Sequence, residues 1–131
     1  ELEFIAEPAM PPVLGNPALF DQVLLNLLKN ARDAMGNKGK IVVAVRRSDR
    51  SAVVEIADEG PGIPAGIIEH VFDPFFTTKP PGRGTGLGLS ICYGLMADLR
   101  GKISCGNRPE RGAWFSVELP LDELVVETDT P

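Results

Sequence analysis

The chain has 131 residues, of which 44% are hydrophobic and 24% charged, and its net charge is −5. That length and composition describe one globular domain with a buried core and exclude a disordered chain. The acidic balance argues against a nucleic-acid surface, and no apolar run approaches the roughly 20 residues of a membrane span.

Residues 2–6, LEFIA, alternate weakly and read as a short strand, which Pro8, Pro11 and Pro12 break. Asn16 and Pro17 form a helix start, a capping residue followed by proline at the first helical position. Leu19, Phe20, Val23, Leu24, Leu27, Leu28 and Ala31 recur at three- and four-residue steps, so the helix runs from Pro17 to about Met35, where Gly36-Asn37-Lys38-Gly39 ends it. Two strands, 41–47 and 52–58, follow as a hairpin around SDRS. Residues 58–64 are a turn by their Gly and Pro content, 65–71 suit a short helix, and 72–85, without periodicity, read as a mobile loop. A second long helix is expected over 86–99, and a second hairpin over 102–107 and 113–120 around RPERG.

Two hairpins and two long amphipathic helices predict an α+β fold. It is a two-layer sandwich whose mixed, mostly antiparallel sheet is covered by helices on one face. Strand–helix alternation is too sparse for a doubly wound sheet, and GxxxxGK[ST] is absent, so a P-loop fold is excluded. The domain is expected to span 1–120, with 121–131 as a C-terminal tail. The opening ELEFIA carries no signal peptide and reads as an internal cut from a larger protein. Cys92 and Cys105 read as buried free thiols in a reducing compartment, and without a histidine cluster they make no zinc site.

Four segments carry chemistry. Asn26 and Asn30 are four apart and share a helix face beside the apolar Leu27, Leu28 and Ala31. A carboxamide oxygen there is a hard ligand suited to magnesium, or else the pair bridges neighbouring backbone. Asp58, ending an apolar strand before Gly60 and Gly62, is costly unless paired. An exocyclic amine such as adenine's would satisfy it; an ordinary turn aspartate is the plainer alternative. In FDPFFTTK, Phe72, Phe75 and Phe76 could dock a lid onto the body or fill core, and Lys79 is a candidate phosphate or interdomain contact. In GRGTGLGLS, Gly82, Gly84, Gly86 and Gly88 alternate just ahead of the second helix. With Thr85 they could turn backbone N–H groups and a helix N-terminus toward phosphate, or act as a flexible connector.

In this order the four segments resemble the ATP-binding catalytic domain of sensor histidine kinases, within the GHKL superfamily. NLLKNARDA is similar to its asparagine box, DEGPGI to the first glycine box, FDPFFTTK to the phenylalanine box and GRGTGLGLS to the second glycine box. GAWFSVELP is similar to the closing strand motif, so the resemblance covers residues 2 to 120. FDPFFTTKPPGRGTGLGLSI is close to the nitrogen-regulation and dicarboxylate-sensor branch.

The resemblance implies a Bergerat-type sandwich holding ATP beneath a lid. Asn30 would ligate Mg2+ and Asn26 would line the phosphate site. Asp58 would bind the adenine amine, with Gly60, Gly62 and Ile63 lining the ring, and Phe75 would also belong to the ATP site. Gly84, Thr85, Gly86, Leu87 and Gly88 would face the phosphates, with Lys79 or Arg83 as the basic contact, since Asp33 occupies a place where some branches have a lysine. Ala113 stands where the family often has threonine, and Leu99-Arg100 precede Gly101 where paired glycines are usual. Hydrolases of the superfamily carry a glutamate four residues before the asparagine that matches Asn30. Here Asn26, which cannot act as a general base, holds that place.

The implied function is a two-component histidine kinase module. It would transfer the γ-phosphoryl of Mg-ATP to a histidine on a separate dimerisation domain of the same full-length protein, with a response regulator downstream. The sole histidine, His70, does not sit in an acceptor motif. The isolated domain is expected to be monomeric and cytoplasmic, without nucleic-acid or membrane contact, a membrane-bound sensor being one setting for the whole protein. An anti-sigma-type serine kinase and a non-catalytic nucleotide-sensing module are the alternatives.

Overall fold

A computed structural model describes residues 2–6, 17–36, 38–73 and 88–121. Its elements are β1 (Leu2–Ala6), α1 (Pro17–Ala34), β2 (Ile41–Ser48), β3 (Ser51–Ala57), a 3-10 helix (Ala65–His70), α2 (Gly88–Asp98), β4 (Lys102–Asn107) and β5 (Ala113–Pro120). The expected short helix at 65–71 is thus a 3-10 helix, and the helix expected over 86–99 is described from Gly88.

α1 starts on Pro17, whose missing N–H would have had no intrahelical acceptor, and stops where Gly36 adopts φ +64°. The α2 terminus is less conventional. Arg100 takes φ +60°, while the Gly101 N–H donates to the Met96 carbonyl (2.8 Å) and the Arg100 N–H to that of Ala97 (3.0 Å). This is a Schellman closure with arginine at the left-handed position that glycine usually fills.

The five strands form one sheet in the order β1-β2-β3-β5-β4. The pairs β2·β3, β3·β5 and β5·β4 are antiparallel, and β1 joins the β2 edge in parallel, Phe4 opposite Val43. A parallel pair needs a crossover, and α1 lies in it. The mixed, mostly antiparallel sheet expected from the hairpins is therefore present. The second hairpin inserts in reverse, with β5 rather than β4 beside β3. β5 alternates buried Ala113, Phe115, Val117 and Leu119 with half-buried Trp114, Ser116, Glu118 and Pro120, which suits an interior strand. β4 exposes Lys102, Ser104 and Asn107, which suits an edge.

The core lies between one sheet face and the two helices. Val23, Leu27 and Ala31 of α1 meet Cys92 and Met96 of α2 over Val43, Val54, Ile56, Phe115 and Val117. Full burial of a side chain such as Val23 or Leu27 contributes about 1.5–3 kcal/mol. Phe72 packs against this core, with its ring edge-on to Phe115 at 6.2 Å between centroids and tilted against Tyr93 at 5.7 Å. Of the three phenylalanines singled out above, Phe72 is half-buried and packs against the core; Phe75 and Phe76 lie outside the described residues. Cys92 is buried and Cys105 is only half-buried, a correction to its expected burial that follows from its place on an edge strand; both are free.

Candidate functional site

The site is assembled where the C-terminal half of α1 meets the turn after β3. Asn26, Asn30 and Ala34 succeed one another at four-residue steps, so they form one stripe along α1. The stripe ends at the turn: the Ala34 carbonyl oxygen lies 3.0 Å from where a Cβ on Gly60 would stand. A side chain there would make the turn give way by a few tenths of an ångström. The next residue of α1's end, Met35, receives the Glu59 N–H on its sulfur (3.3 Å), and the Glu59 carboxylate takes the Lys40 N–H (2.8 Å).

Asn26 and Asn30 are both half-buried. The Asn26 carboxamide interacts with the Cys92 thiol. The Cys92 thiol also donates to the Val23 carbonyl (3.8 Å). Burial pushes this thiol up to about 11, against the smaller opposing effect of the Asn26 hydrogen bond. Burial likewise pushes the Cys105 thiol up. The Asn30 carboxamide has no hydrogen-bond partner among the described residues.

Asp58 follows the last residue of β3 and is 1% exposed, the only buried charged side chain among the described residues. Its Oδ1 accepts two backbone N–H groups, from Gly60 (2.8 Å) and Ala113 (3.2 Å). Its own N–H donates to the Ala113 carbonyl (2.9 Å). Among the described residues nothing donates to Oδ2. A buried carboxylate held by one oxygen presents the other as an acceptor to whatever fills the space beside it.

Gly62, with φ +87°, continues the turn, and Ile63 is held from across the sheet by Asn107. Arg108 donates through Nη1 to the Asp58 carbonyl (2.9 Å), and Arg111 through Nε to that of Glu59 (3.1 Å). Asn107, Arg108 and Arg111 escaped the sequence reading because a turn-like NRPERG stretch carries no mark of a target some fifty residues away. Gly88 opens α2 and is exposed. Phe75, Lys79, Gly84, Thr85, Gly86 and Leu87, together with Gly82 and Arg83, lie outside the described residues. His70 is exposed and contacts Asp73 Oδ2 at 3.0 Å. Among the described residues no three His, Cys, Asp or Glu side chains group as metal ligands, and no helix is long and apolar enough to cross a membrane.

The carboxamide stripe of α1 thus runs toward a turn whose buried aspartate keeps one oxygen without a donor among the described residues, on a sheet packed against two helices. Residues 15–123 match the family described as histidine kinase-, DNA gyrase B- and HSP90-like ATPase, and the chain belongs to that family. It is a catalytic domain of the histidine-kinase kind within the GHKL group. It is 40% identical to the sensor kinase CckA of Brucella abortus over 83% of this chain and 13% of that protein. It is 37% identical to the sensory histidine kinase/phosphatase NtrB of Rhodobacter capsulatus, over 88% of this chain and 35% of that one. Among solved structures, the catalytic domain of histidine kinase ThkA superposes with a TM-score of 0.82 at 38% identity, covering 92% of this chain and 78% of that chain. Full-length ShkA in complex with AMPPNP gives 0.81 at 28% identity, covering 92% and 25%. ThkA in complex with the response regulator protein TrrA gives 0.78 at 35%, covering 92% and 34%. The chain thus spans about an eighth to a third of the length of these curated relatives.

Proposed function

We propose that this domain binds ATP with magnesium and donates the γ-phosphoryl group to a histidine on a separate dimerisation domain of the same protein, from which a response regulator then receives it. The observation that carries this reading is Asp58, buried, tied through Oδ1 and presenting Oδ2. The exocyclic amine of adenine is a donor of the right kind for that oxygen, and Gly60, Gly62 and the Ile63 side chain would lie along the ring. The AMPPNP complex of ShkA and the TrrA complex of ThkA support a nucleotide and a response regulator as ligands of this kind of domain.

Asn30, half-buried and without a described partner for its carboxamide, fits a hard cation shared with phosphate oxygens. Magnesium held there would neutralise charge developing on the phosphates. Asn26 would line the phosphate side, fixed by Cys92. Phe75 would pack near the base, Lys79 would contact phosphate, and Gly84, Thr85, Gly86, Leu87 and Gly88 would supply backbone donors. A carboxamide at position 26 has no basic function at neutral pH, so nothing at that place activates water. The domain is then suited to transfer rather than hydrolysis, with the acceptor nitrogen arriving from its partner domain.

The test combines this chain with a histidine-bearing dimerisation domain and γ-labelled ATP. The expected product is acid-labile, base-stable label on the partner, dependent on magnesium. Acid-stable label on the partner would favour a serine kinase, and no label on any partner would leave a nucleotide-sensing module.

A further inference from the structure

The turn that carries Asp58 is held at both ends by a single rung of the β4–β5 ladder. Asn107 and Ala113 are register partners. Ala113 holds the near end through its N–H to Asp58 Oδ1 (3.2 Å). Asn107 holds the far end twice: its Oδ1 accepts the Ile63 N–H (2.6 Å) and its Nδ2 donates to the Ile63 carbonyl (2.7 Å). One carboxamide thus satisfies both backbone groups of a residue 44 positions away, as a neighbouring strand would. The fit is close, since a Cβ on Gly62 would lie 2.9 Å from Asn107 Oδ1.

We infer that Asn107 is a positioning residue for the nucleotide base: it sets the separation between the Ile63 wall and the Asp58 carboxylate. This rests on the reading of the Asp58 turn as the base site. It also narrows what Ile63 can contribute. With its N–H engaged by Asn107, Ile63 offers the ring its side chain and no backbone donor. Discrimination between bases then falls to Asp58, at a distance from the wall that Asn107 determines.

The experiment measures ADP and inosine diphosphate (IDP) affinity of the full chain by calorimetry for wild type, Asn107→Ala, Asn107→Asp and Asp58→Ala at neutral pH. Asn107→Ala should weaken ADP about tenfold, because two backbone groups lose their partner. Asn107→Asp is the discriminating variant. The carboxylate it carries is ionised at neutral pH; it accepts the Ile63 N–H but repels its carbonyl. It should therefore bind ADP at least as weakly as Asn107→Ala, and both variants should lose part of the preference for ADP over IDP. An unchanged preference and wild-type ADP affinity in Asn107→Asp overturn the inference, as does wild-type affinity in Asn107→Ala while Asp58→Ala fails to bind. Wild-type affinity in Asp58→Ala would instead remove the base-site reading itself.

Discussion

Replacing Gly112 with alanine should damage this domain more than any other single methyl group added to its described turns. Gly112 sits at φ +102°, and a Cβ there would overlap the Asp58 carbonyl oxygen and lie 2.8 Å from its carbon and 3.2 Å from Glu59 Cα. All three are backbone atoms, so no rotamer change relieves the collision. Either β5 or the Asp58 turn has to shift. Left-handed backbone at a residue with a side chain costs about 1–2 kcal/mol. The displacement also strains the Ala113 N–H to Oδ1 bond and the reciprocal Asp58 N–H to Ala113 carbonyl bond, and losing buried partners of this kind costs about 1–3 kcal/mol. The sum is about 2–5 kcal/mol, which for a domain of this size lowers the melting temperature by roughly 7–20 °C. Gly36→Ala is the control. It also has positive φ, at +64°, but nothing lies within 4 Å of the added atom. Strain alone predicts a loss of about 1 kcal/mol and no change in nucleotide affinity. Thermal unfolding by circular dichroism and ADP calorimetry on the two variants separate clash from strain. Equal melting temperatures for Gly112→Ala and Gly36→Ala, with equal ADP affinity, would refute the argument.

Arg100→Gly should raise stability by about 1 kcal/mol, measured by denaturant unfolding, because arginine holds the left-handed position of the α2 Schellman closure at φ +60°. Asp58→Asn should keep the fold, since the amide oxygen can still accept from Gly60 and Ala113, yet weaken ATP about 100-fold by setting a donor against the adenine amine. The same variant should lose much less affinity for inosine triphosphate, whose carbonyl accepts from that amide; equal losses for both nucleotides would count against the adenine contact. The Cys92 thiol titrates at about 11 in the folded state against 9.0 when unperturbed. The unfolded chain therefore releases its proton first as pH rises. The thiol's contribution to stability should be fully present below about pH 9 and be lost toward pH 11, with Cys105 acting in the same direction. A Cys92→Ala variant should show a shallower alkaline decline, read as the unfolding midpoint against pH.

Much of this architecture is written in short-range spacing. The three- and four-residue steps from Leu19 to Ala31 dictate α1 and its buried stripe, and the alternation from Ala113 to Pro120 dictates a strand with one face in the core. The same periodicity puts Asn26 and Asn30 on one face, and the solvation cost of a carboxylate ending an apolar strand singles out Asp58. These inferences succeed because helix and strand periods, capping and turn chemistry act within a few residues. Tertiary structure alone decided that β5 enters beside β3, that Met35 and Ala34 abut the Asp58 turn, and that Asn107 secures Ile63 from 44 positions away. The physical reason is the same in each case. The groups being satisfied there are backbone N–H and carbonyl groups, which every residue carries, so the identity of their distant partner leaves no pattern in the chain to read.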